Sequence, residues 1–299
     1  MLLYKYRDFT PRSLEILSNR ELYFAQPSEL NDPLDGEIDI HAIYNNLHQF
    51  MEKLDGEVGL KLGFLVHILN EHKFPSRDNN ERTLSFTEAL LDFVRYLGIC
   101  SLSKTPNDAL LWSHYGGGHA GFCIGFEESE LAPEEVFIRA EVEYFSSPPN
   151  RQLFLDLASE LGDLVRPWDP SFKTDNEATD RFYTRQISRT MRANLLVKSD
   201  LWRYEREYRL IRSKAGLAKF APSAVREIIF GLKTSEVARH AIIQAISSPE
   251  WAHVKIRRVY QDSASFDFMV LRESFCEPSE YLRSLNLHNS KQSDADASF

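Results

Sequence analysis

The segment from Cys100 to Glu127, CSLSKTPNDALLWSHYGGGHAGFCIGFE, is the part of the chain that most restricts its fold. Apolar runs at both ends and a polar middle with proline and glycine predict a strand, a short helix, a glycine loop and a second strand. Two histidines, His114 and His119, flank three consecutive glycines, and Trp112 and Tyr115 lie beside them. A stretch that only had to fold would not need three glycines between two imidazoles. We therefore predict that this loop borders a functional site.

The first predicted strand of this segment alternates Ser101 and Ser103 with Cys100 and Leu102. Because successive side chains of a strand point to opposite faces, both hydroxyls fall on one face. Cys100, and Cys123 in the second strand, are predicted to be buried small hydrophobes. A cysteine nucleophile would need an exposed position near a base, which neither position offers.

The composition is that of a folded protein of 299 residues, with 43% hydrophobic content and a net charge of −9. This charge gives no electrostatic case for nonspecific binding to DNA or RNA. The three cysteines include no CxxC pair, which disfavours a disulfide framework and a structural zinc site. The charged N-terminal segment predicts no signal peptide, and no apolar run approaches a membrane span. We expect a cytoplasmic protein without membrane association.

The remaining elements follow from local patterns. Thr10 and Pro11 predict the N-cap and the first position of a helix that ends at Asn19. Predicted strands cover Leu2–Tyr6, Leu22–Ala25, Val136–Tyr144, Asp200–Arg212, Glu227–Gly231, Val254–Tyr260 and Ser265–Leu271, the last two as a hairpin. Predicted helices cover Leu84–Leu97, Leu153–Leu164, Glu177–Val197 and Ser235–Ile246, and residues 73–82 are predicted to be a charged surface loop.

Strands near both ends and in the middle, separated by helical blocks, predict an α+β fold with a mixed or antiparallel central sheet. We predict a single domain over residues 1–285, with a helical insertion at 38–97. Residues 286–299 are polar and are predicted to be a disordered tail.

The loop that follows the second strand, QPSELNDPLDGE, is rich in oxygen ligands. Asn31 and Asp32 are candidates for binding a ligand, and with Asp35 they have donors that suit a divalent cation. The spacing does not match a calcium loop with its closing glutamate. A turn that caps a helix starting near Leu34 explains the same residues without a ligand.

The two histidines of the glycine loop are five residues apart, so both imidazoles can face one cleft if the loop is not helical. A zinc site needs at least one more ligand, and the sequence contains no HExxH. Without a ligand, His114 would satisfy a backbone carbonyl and His119 would be an exposed loop residue.

A second informative segment, WRYEREYR, begins at Trp202. On a strand, Glu205, Glu207 and Arg209 would share one face. Two such carboxylates suit acid–base or cation-stabilising chemistry. They also repel, which raises the pKa of one of them unless Arg209 or a ligand compensates. The alternative is a solvated strand face with Arg–Glu pairs.

Several motifs together resemble a known bacterial family, the domain of unknown function 2971. They are YKYR, LYFAQPSELNDPLDG, WSHYGGGHAGFCIGFE, KSDLWRYEREYRLIR and VREIIFG, and they extend over about residues 3–271. The name of this family implies no activity.

A looser resemblance concerns the order of three strand motifs. A basic, aromatic first strand (Tyr4 to Arg7) precedes Ser101-x-Ser103 and then Glu205-x-Glu207. This order is similar to the Arg…Ser-x-Ser…Glu-x-Glu order of ADP-ribosyltransferases. Ser-Leu-Ser replaces the usual Ser-Thr-Ser, and the arginine is displaced towards the end of its strand.

This resemblance implies an NAD site, with NAD as substrate. Glu207 would be the catalytic carboxylate that stabilises the oxocarbenium ion, and Glu205 would orient the acceptor. Ser101 and Ser103 would support the site, and Tyr6 or Arg7 would meet the pyrophosphate or adenosine. The residues of the glycine loop have no fixed counterpart in the pattern and would stack on nicotinamide or bind phosphate. They are Trp112, Tyr115 and His119, together with His114, which is also a candidate catalytic residue.

Three functional hypotheses therefore remain open. The first is an NAD-dependent ADP-ribosyltransferase acting on protein or nucleic acid, for example as a defence or toxin effector. The second is a metal-dependent hydrolase or nuclease using Asp32, Asp35, His114, His119 and Glu207. The third is a non-catalytic module that binds a nucleotide, a dinucleotide or a partner protein.

Overall fold

The computed structural model describes residues 1–32, 35, 74–76, 83–84, 88, 92, 94–131, 135–146, 195–261 and 268–272. The chain divides into two compact units. The first unit comprises Met1–Phe24, Ile99–Glu141 and Trp202–Phe299, and the second comprises Ala25–Gly98 and Val142–Leu201. No helix among the described residues is long and apolar enough to cross a membrane.

The first unit is built on one mixed sheet of eight strands, which confirms the predicted α+β class. Its strands are β1 (Leu2–Arg7), β5 (Gly98–Ser103), β6 (Phe122–Glu127), β7 (Val136–Glu141), β10 (Glu207–Arg212), β12 (Val225–Phe230), β13 (Lys255–Gln261) and β14 (Phe268–Arg272). They are arranged in the order β14-β13-β12-β6-β1-β5-β10-β7. The β12–β13 pair is parallel, while β1–β5, β1–β6, β6–β12, β7–β10 and β13–β14 are antiparallel.

Three helices and a small sheet complete the described part of this unit. The helices are α1 (Pro11–Asn19), α2 (Ala109–His114) and α3 (Glu236–Ala245), and β2 (Glu21–Phe24) pairs with β11 (Gly216–Lys219). Short 3₁₀-helices cover Pro27–Glu29, Asp200–Glu205, Pro222–Ala224 and Pro249–Trp251. As predicted, Thr10 caps α1, accepting from the Ser13 amide at 3.3 Å, and Ser235 caps α3.

The two faces of the sheet carry different cores because side chains alternate along each strand. On one face the larger core includes Leu3, Ile124 and Leu210 and packs against α1 and α3. On the other face a smaller core includes Tyr4, Tyr6, Cys123 and Ile229 and packs against Leu111 and Trp112 of α2. Apart from Arg7, the candidate site residues of the central strands belong to this second face.

The second unit is described in part. Its paired strands are β3 (Phe74–Pro75) with β4 (Thr83–Leu84), and β8 (Glu143–Phe145) in parallel with β9 (Val197–Ser199). A buried ion pair joins Lys198 to Asp35 at 3.4 Å.

The structure corrects several predicted boundaries. The predicted strand from Val136 to Tyr144 is interrupted at Val142, so its two halves form β7 and β8 in different units. The predicted strand from Asp200 begins only at Glu207, because the preceding residues form a 3₁₀-helix. Two predicted helices are wrong at one end. The helix predicted to start at Leu84 is wrong there because Leu84 lies in β4, and the helix predicted to end at Val197 is wrong there because Val197 lies in β9.

Other predictions lie outside the described residues. They are most of the helical block at 38–97, the helices at 153–164 and 177–194, the turn between β13 and β14, and the tail at 286–299. The predicted division of the chain into a domain, an insertion and a tail stays a prediction.

Candidate functional site

Three motifs that are far apart in the sequence lie on neighbouring strands of the main sheet. The basic, aromatic motif is on β1, Ser-x-Ser is on β5, and Glu207 begins β10, and these strands are adjacent in that order. Cys100, Leu102, Tyr208 and Leu210 belong to the larger core. Strand alternation therefore places both serines, Glu207 and Arg209 on the face that carries α2.

The second serine of the motif is bonded to the glutamate segment. The Ser103 hydroxyl donates to the backbone carbonyl of Glu205 at 2.7 Å, and the Thr105 amide donates to the same hydroxyl at 3.2 Å. The Lys104 amide donates to the Arg206 carbonyl at 3.1 Å. The end of β5 thus fixes the backbone on which Glu205 and Arg206 lie. Ser101 is half-buried on the same face.

The two glutamates do not share a strand face, contrary to the prediction. Glu205 is the last residue of the 3₁₀-helix, and Arg206 between them has a left-handed φ of 43°. Such a conformation is uncommon for a non-glycine residue and turns the backbone sharply. The Glu205 carboxylate is buried, and its Oε1 accepts a hydrogen bond from the Tyr115 hydroxyl at 2.7 Å.

The other carboxylate belongs to a buried ion pair. Arg209 Nε donates to Glu207 Oε1 at 2.7 Å, and Arg209 Nη2 donates to Glu207 Oε2 at 3.1 Å. Glu207 is 4% exposed and Arg209 0%. Bidentate pairs of this kind fix both side chains in orientation as well as in charge. Arg209 therefore compensates the negative charge of Glu207, which is one of the two alternatives that the sequence allows.

Hydrogen bonds from the Trp112 and Tyr6 side chains to backbone carbonyls, and the contact between the two rings, hold α2 against the sheet. Asp108 caps the helix, and Trp112 Nε1 donates to the Pro106 carbonyl at 2.8 Å. Tyr6 packs edge-to-face on Trp112, with ring centroids 5.0 Å apart, and its hydroxyl donates to the Thr105 carbonyl at 2.7 Å. Trp112 is fully buried and Tyr6 nearly so. In this structure both candidate binding residues support the site from within.

The C-terminal end of α2 carries a row of aromatic rings. His114 is exposed, and its ring centroid lies 6.3 Å from that of Tyr204. Tyr204 lies 6.1 Å from Trp202 in the same 3₁₀-helix. We call Trp202, Tyr204 and His114 the aromatic row. Tyr115, next in sequence, connects its end to Glu205.

The glycine loop has a compact internal structure. Gly117 and Gly118 have φ values of 58° and 61°, which favour glycine, and His119 has a φ of 71°. The His119 carbonyl accepts from the Lys233 amide at 2.9 Å. Burial and, second, the Lys233 charge lower the pKa of the half-buried His119. The loop thus joins α2 to the end of β12, which provides a folding reason for its glycines.

Three other candidates are on the opposite face of the sheet or in the second unit. Arg7 alternates onto the face of the larger core, opposite to the serines. Asn31 and Asp32 belong to the second unit, where the Asp32 carbonyl accepts from the Asp35 amide at 2.9 Å. Within the described residues, no group of three or more His, Cys, Asp or Glu side chains is placed to hold a metal ion.

Three residues near this site are not among the site residues predicted from the sequence: Trp202, Tyr204 and Arg209. The position of Arg209 two residues after Glu207 on a strand is a usable signal, because such residues share a face. The aromatic row gave no comparable signal, since Trp202 and Tyr204 meet His114 only through the tertiary fold.

Comparison with known families identifies a match to the model described as "Protein of unknown function (DUF2971)", over residues 111–210. This segment begins in α2 and ends in β10, so it includes the glycine loop and both glutamates. The predicted resemblance to this family is confirmed over that third of the chain. No curated protein and no solved structure gives a significant match.

Proposed function

We propose that this protein is an ADP-ribosyltransferase that uses NAD as substrate. The observation that carries the proposal is the adjacency of β1, β5 and β10, which brings the three motifs together on one sheet although about 200 residues separate the first from the last. The hydrogen bonds of Ser103 to Glu205 and of Tyr115 to Glu205 support it, because they join the Ser-x-Ser motif and the segment of the glycine loop directly to the Glu-x-Glu segment.

The proposed reaction breaks the bond between the nicotinamide nitrogen and C1′ of the attached ribose. The bonding electrons leave with nicotinamide, which becomes neutral, and positive charge develops on the ribose. A nucleophile of a protein, a nucleic acid or water then bonds to C1′ and loses a proton. A carboxylate fixed beside C1′ stabilises the charge as it develops, and we assign this role to Glu207.

The Glu205 carboxylate would orient the acceptor, and Tyr115 fixes its position by donating to it at 2.7 Å. Ser103 acts through the Glu205 backbone, and we assign it as a positioning residue. Ser101, on the same face and half-buried, is the serine assigned to NAD.

A non-catalytic nucleotide-binding module is the second candidate, and the burial of Glu207 against Arg209 favours it. A carboxylate that stays in this pair would organise a site without reaching a substrate. The two candidates differ in whether bound NAD is recovered intact.

The test measures NAD binding by calorimetry and nicotinamide release by chromatography, for the unaltered chain and for Glu207→Gln. We expect release to fall at least about 100-fold, since the lost group stabilises charge that develops only in the transition state. NAD affinity should change much less. Nicotinamide release unaffected by Glu207→Gln would contradict the assignment, and bound NAD that is never cleaved would favour the binding module.

Two further variants protect this test from a folding defect. Removing Glu207 alone takes from the buried Arg209 the carboxylate to which it donates two hydrogen bonds, which can destabilise the fold by about 3–5 kcal/mol. Glu207→Gln with Arg209→Gln removes both charges and should unfold at a higher temperature than the single variant while remaining inactive. Glu250→Gln is the matched control, because this exposed carboxylate pairs with Arg20 and Ser248 at the surface and should keep full activity.

A further inference from the structure

The aromatic row extends over two separate elements of the first unit. His114 ends α2, while Tyr204 and Trp202 lie in the 3₁₀-helix that precedes β10. The planes of neighbouring rings are inclined by 39° for His114 and Tyr204 and by 38° for Tyr204 and Trp202. Successive rings are therefore tilted rather than perpendicular, and the row presents a sequence of flat faces.

The row is partly open to solvent, and two arginines lie close to it in the sequence. His114 is exposed, and Trp202 and Tyr204 are half-buried. Arg203, which lies between Trp202 and Tyr204 in the sequence, is exposed, and so is Arg206. Aromatic side chains with arginines close by in the sequence suit a ligand that has both planar rings and anionic groups.

Two other exposed aromatic residues of the first unit lie against arginines. Tyr23 lies under Arg12, with 5.5 Å from the guanidinium carbon to the ring centroid, and Tyr260 lies under Arg258 at 5.8 Å. In each case the arginine contacts the ring face. In the aromatic row a ring lies next to a ring, and its end leads through Tyr115 to the buried Glu205.

We propose that the aromatic row binds single-stranded nucleic acid by stacking on its unpaired bases. Bases stack on aromatic side chains without regard to sequence, and each such contact contributes about 1–3 kcal/mol. The two arginines would meet the phosphates. This local contact is compatible with the net charge of −9, which argues against nonspecific binding to duplexes over the whole surface.

This inference rests on the proposed function for its chemical meaning, because it makes a nucleic acid the acceptor presented to Glu205. The binding itself does not require NAD and can be measured without it. RNA and DNA share the base-stacking chemistry, so both are tested as separate probes.

The experiment measures fluorescence anisotropy of labelled single-stranded RNA and DNA of about ten nucleotides, with the full chain and no NAD. We expect Trp202→Leu to weaken binding about 10-fold or more, which corresponds to about 1.4 kcal/mol. Trp202→Phe should remain within about threefold of the unaltered chain, because it keeps an aromatic face. Tyr260→Leu is the control for an exposed aromatic outside the row and should change nothing.

A second variant on a different element protects this test from local misfolding. His114→Leu at the exposed end of α2 should also weaken binding about 10-fold, with an unchanged unfolding temperature. The inference is overturned if neither oligonucleotide binds, or if the Leu and Phe variants at position 202 bind equally well.

The NAD assay separates the two proposals. Nicotinamide release without oligonucleotide binding would keep the proposed function and overturn this inference, and binding without NAD cleavage would do the reverse. If Trp202→Leu raises the KM for NAD but leaves oligonucleotide affinity unchanged, the row belongs to the NAD site and the inference is overturned.

Discussion

Gly121 is the residue at which the central segment has the least room for a side chain. A Cβ at this position would lie 2.0 Å from the Arg7 carbonyl oxygen and 2.9 Å from the Gly116 carbonyl oxygen. Both neighbours are backbone atoms, so the conflict cannot be relieved by a side-chain rotation. Gly118 differs, because no atom lies within 4 Å of an added Cβ and only its φ of 61° restricts substitution.

We predict that Gly121→Ala destabilises the fold by about 3–5 kcal/mol, because β1 must move away from the glycine loop. Gly118→Ala should cost about 1–2 kcal/mol, the usual penalty of a left-handed conformation for a residue with a Cβ. Urea denaturation of the two variants measures both values. Equal losses in the two variants would contradict the close approach of Arg7 and Gly121.

At the scale of elements, the link between β5 and the segment before β10 is the feature that organises the site. Sequence periodicity correctly placed Ser101 and Ser103 on one face of a strand, because alternation is a local property. It did not show that the Ser103 hydroxyl would be bonded to Glu205. That contact joins residues 102 positions apart, so it depends on which strands become neighbours.

We predict that Ser103→Ala lowers the free energy of unfolding by about 1–3 kcal/mol. The buried Glu205 carbonyl and Thr105 amide would each lose a partner, and such groups are costly to leave unsatisfied. Ser101→Ala on the same strand should change it by less than about 0.5 kcal/mol. Thermal or urea unfolding compares the two.

The same pair of variants also tests the assignment of roles. If Ser101 contacts NAD as proposed, Ser101→Ala should weaken NAD affinity while the fold keeps its stability. A loss of stability in Ser101→Ala equal to that in Ser103→Ala would contradict the distinction between them.

At the scale of the whole molecule, the first unit buries several cysteine thiols and tyrosine hydroxyls that must stay protonated. Burial raises the pKa of Cys100, Cys123, Tyr4 and Tyr6. In the unfolded chain these groups ionise near their ordinary values of 9.0 for cysteine and 10.0 for tyrosine. Their contribution to stability is therefore complete below pH 9.0 and is lost as the pH rises towards the folded-state values.

We predict that the free energy of unfolding decreases between about pH 8 and about pH 11. Tyr6→Phe should lower stability at about pH 8 by about 1 kcal/mol, through loss of the bond to the Thr105 carbonyl, but should reduce the alkaline decrease. Denaturant titrations at the two pH values measure both effects. A free energy of unfolding that does not change with pH would contradict the role of these buried groups.

Local patterns in the sequence are sufficient to predict helix starts and several strands. Thr10 and Ser235 marked helix starts because a capping hydroxyl acts within three residues, and local patterns identified several strands, including the β13–β14 pair. The sequence also indicated which segments form the candidate site, since polar and aromatic residues gather at the glycine loop and the Glu-x-Glu segment.

The contacts between these segments depend on the tertiary structure. The backbone turn at Arg206 moved Glu205 off the strand that begins at Glu207, and the pairing of β5 with β10 brought Ser103 to Glu205. Likewise, the aromatic row exists because α2 places His114 beside Tyr204. Such contacts form between residues about 90 to 100 positions apart, so their partners are selected by packing and strand order, which no local pattern specifies.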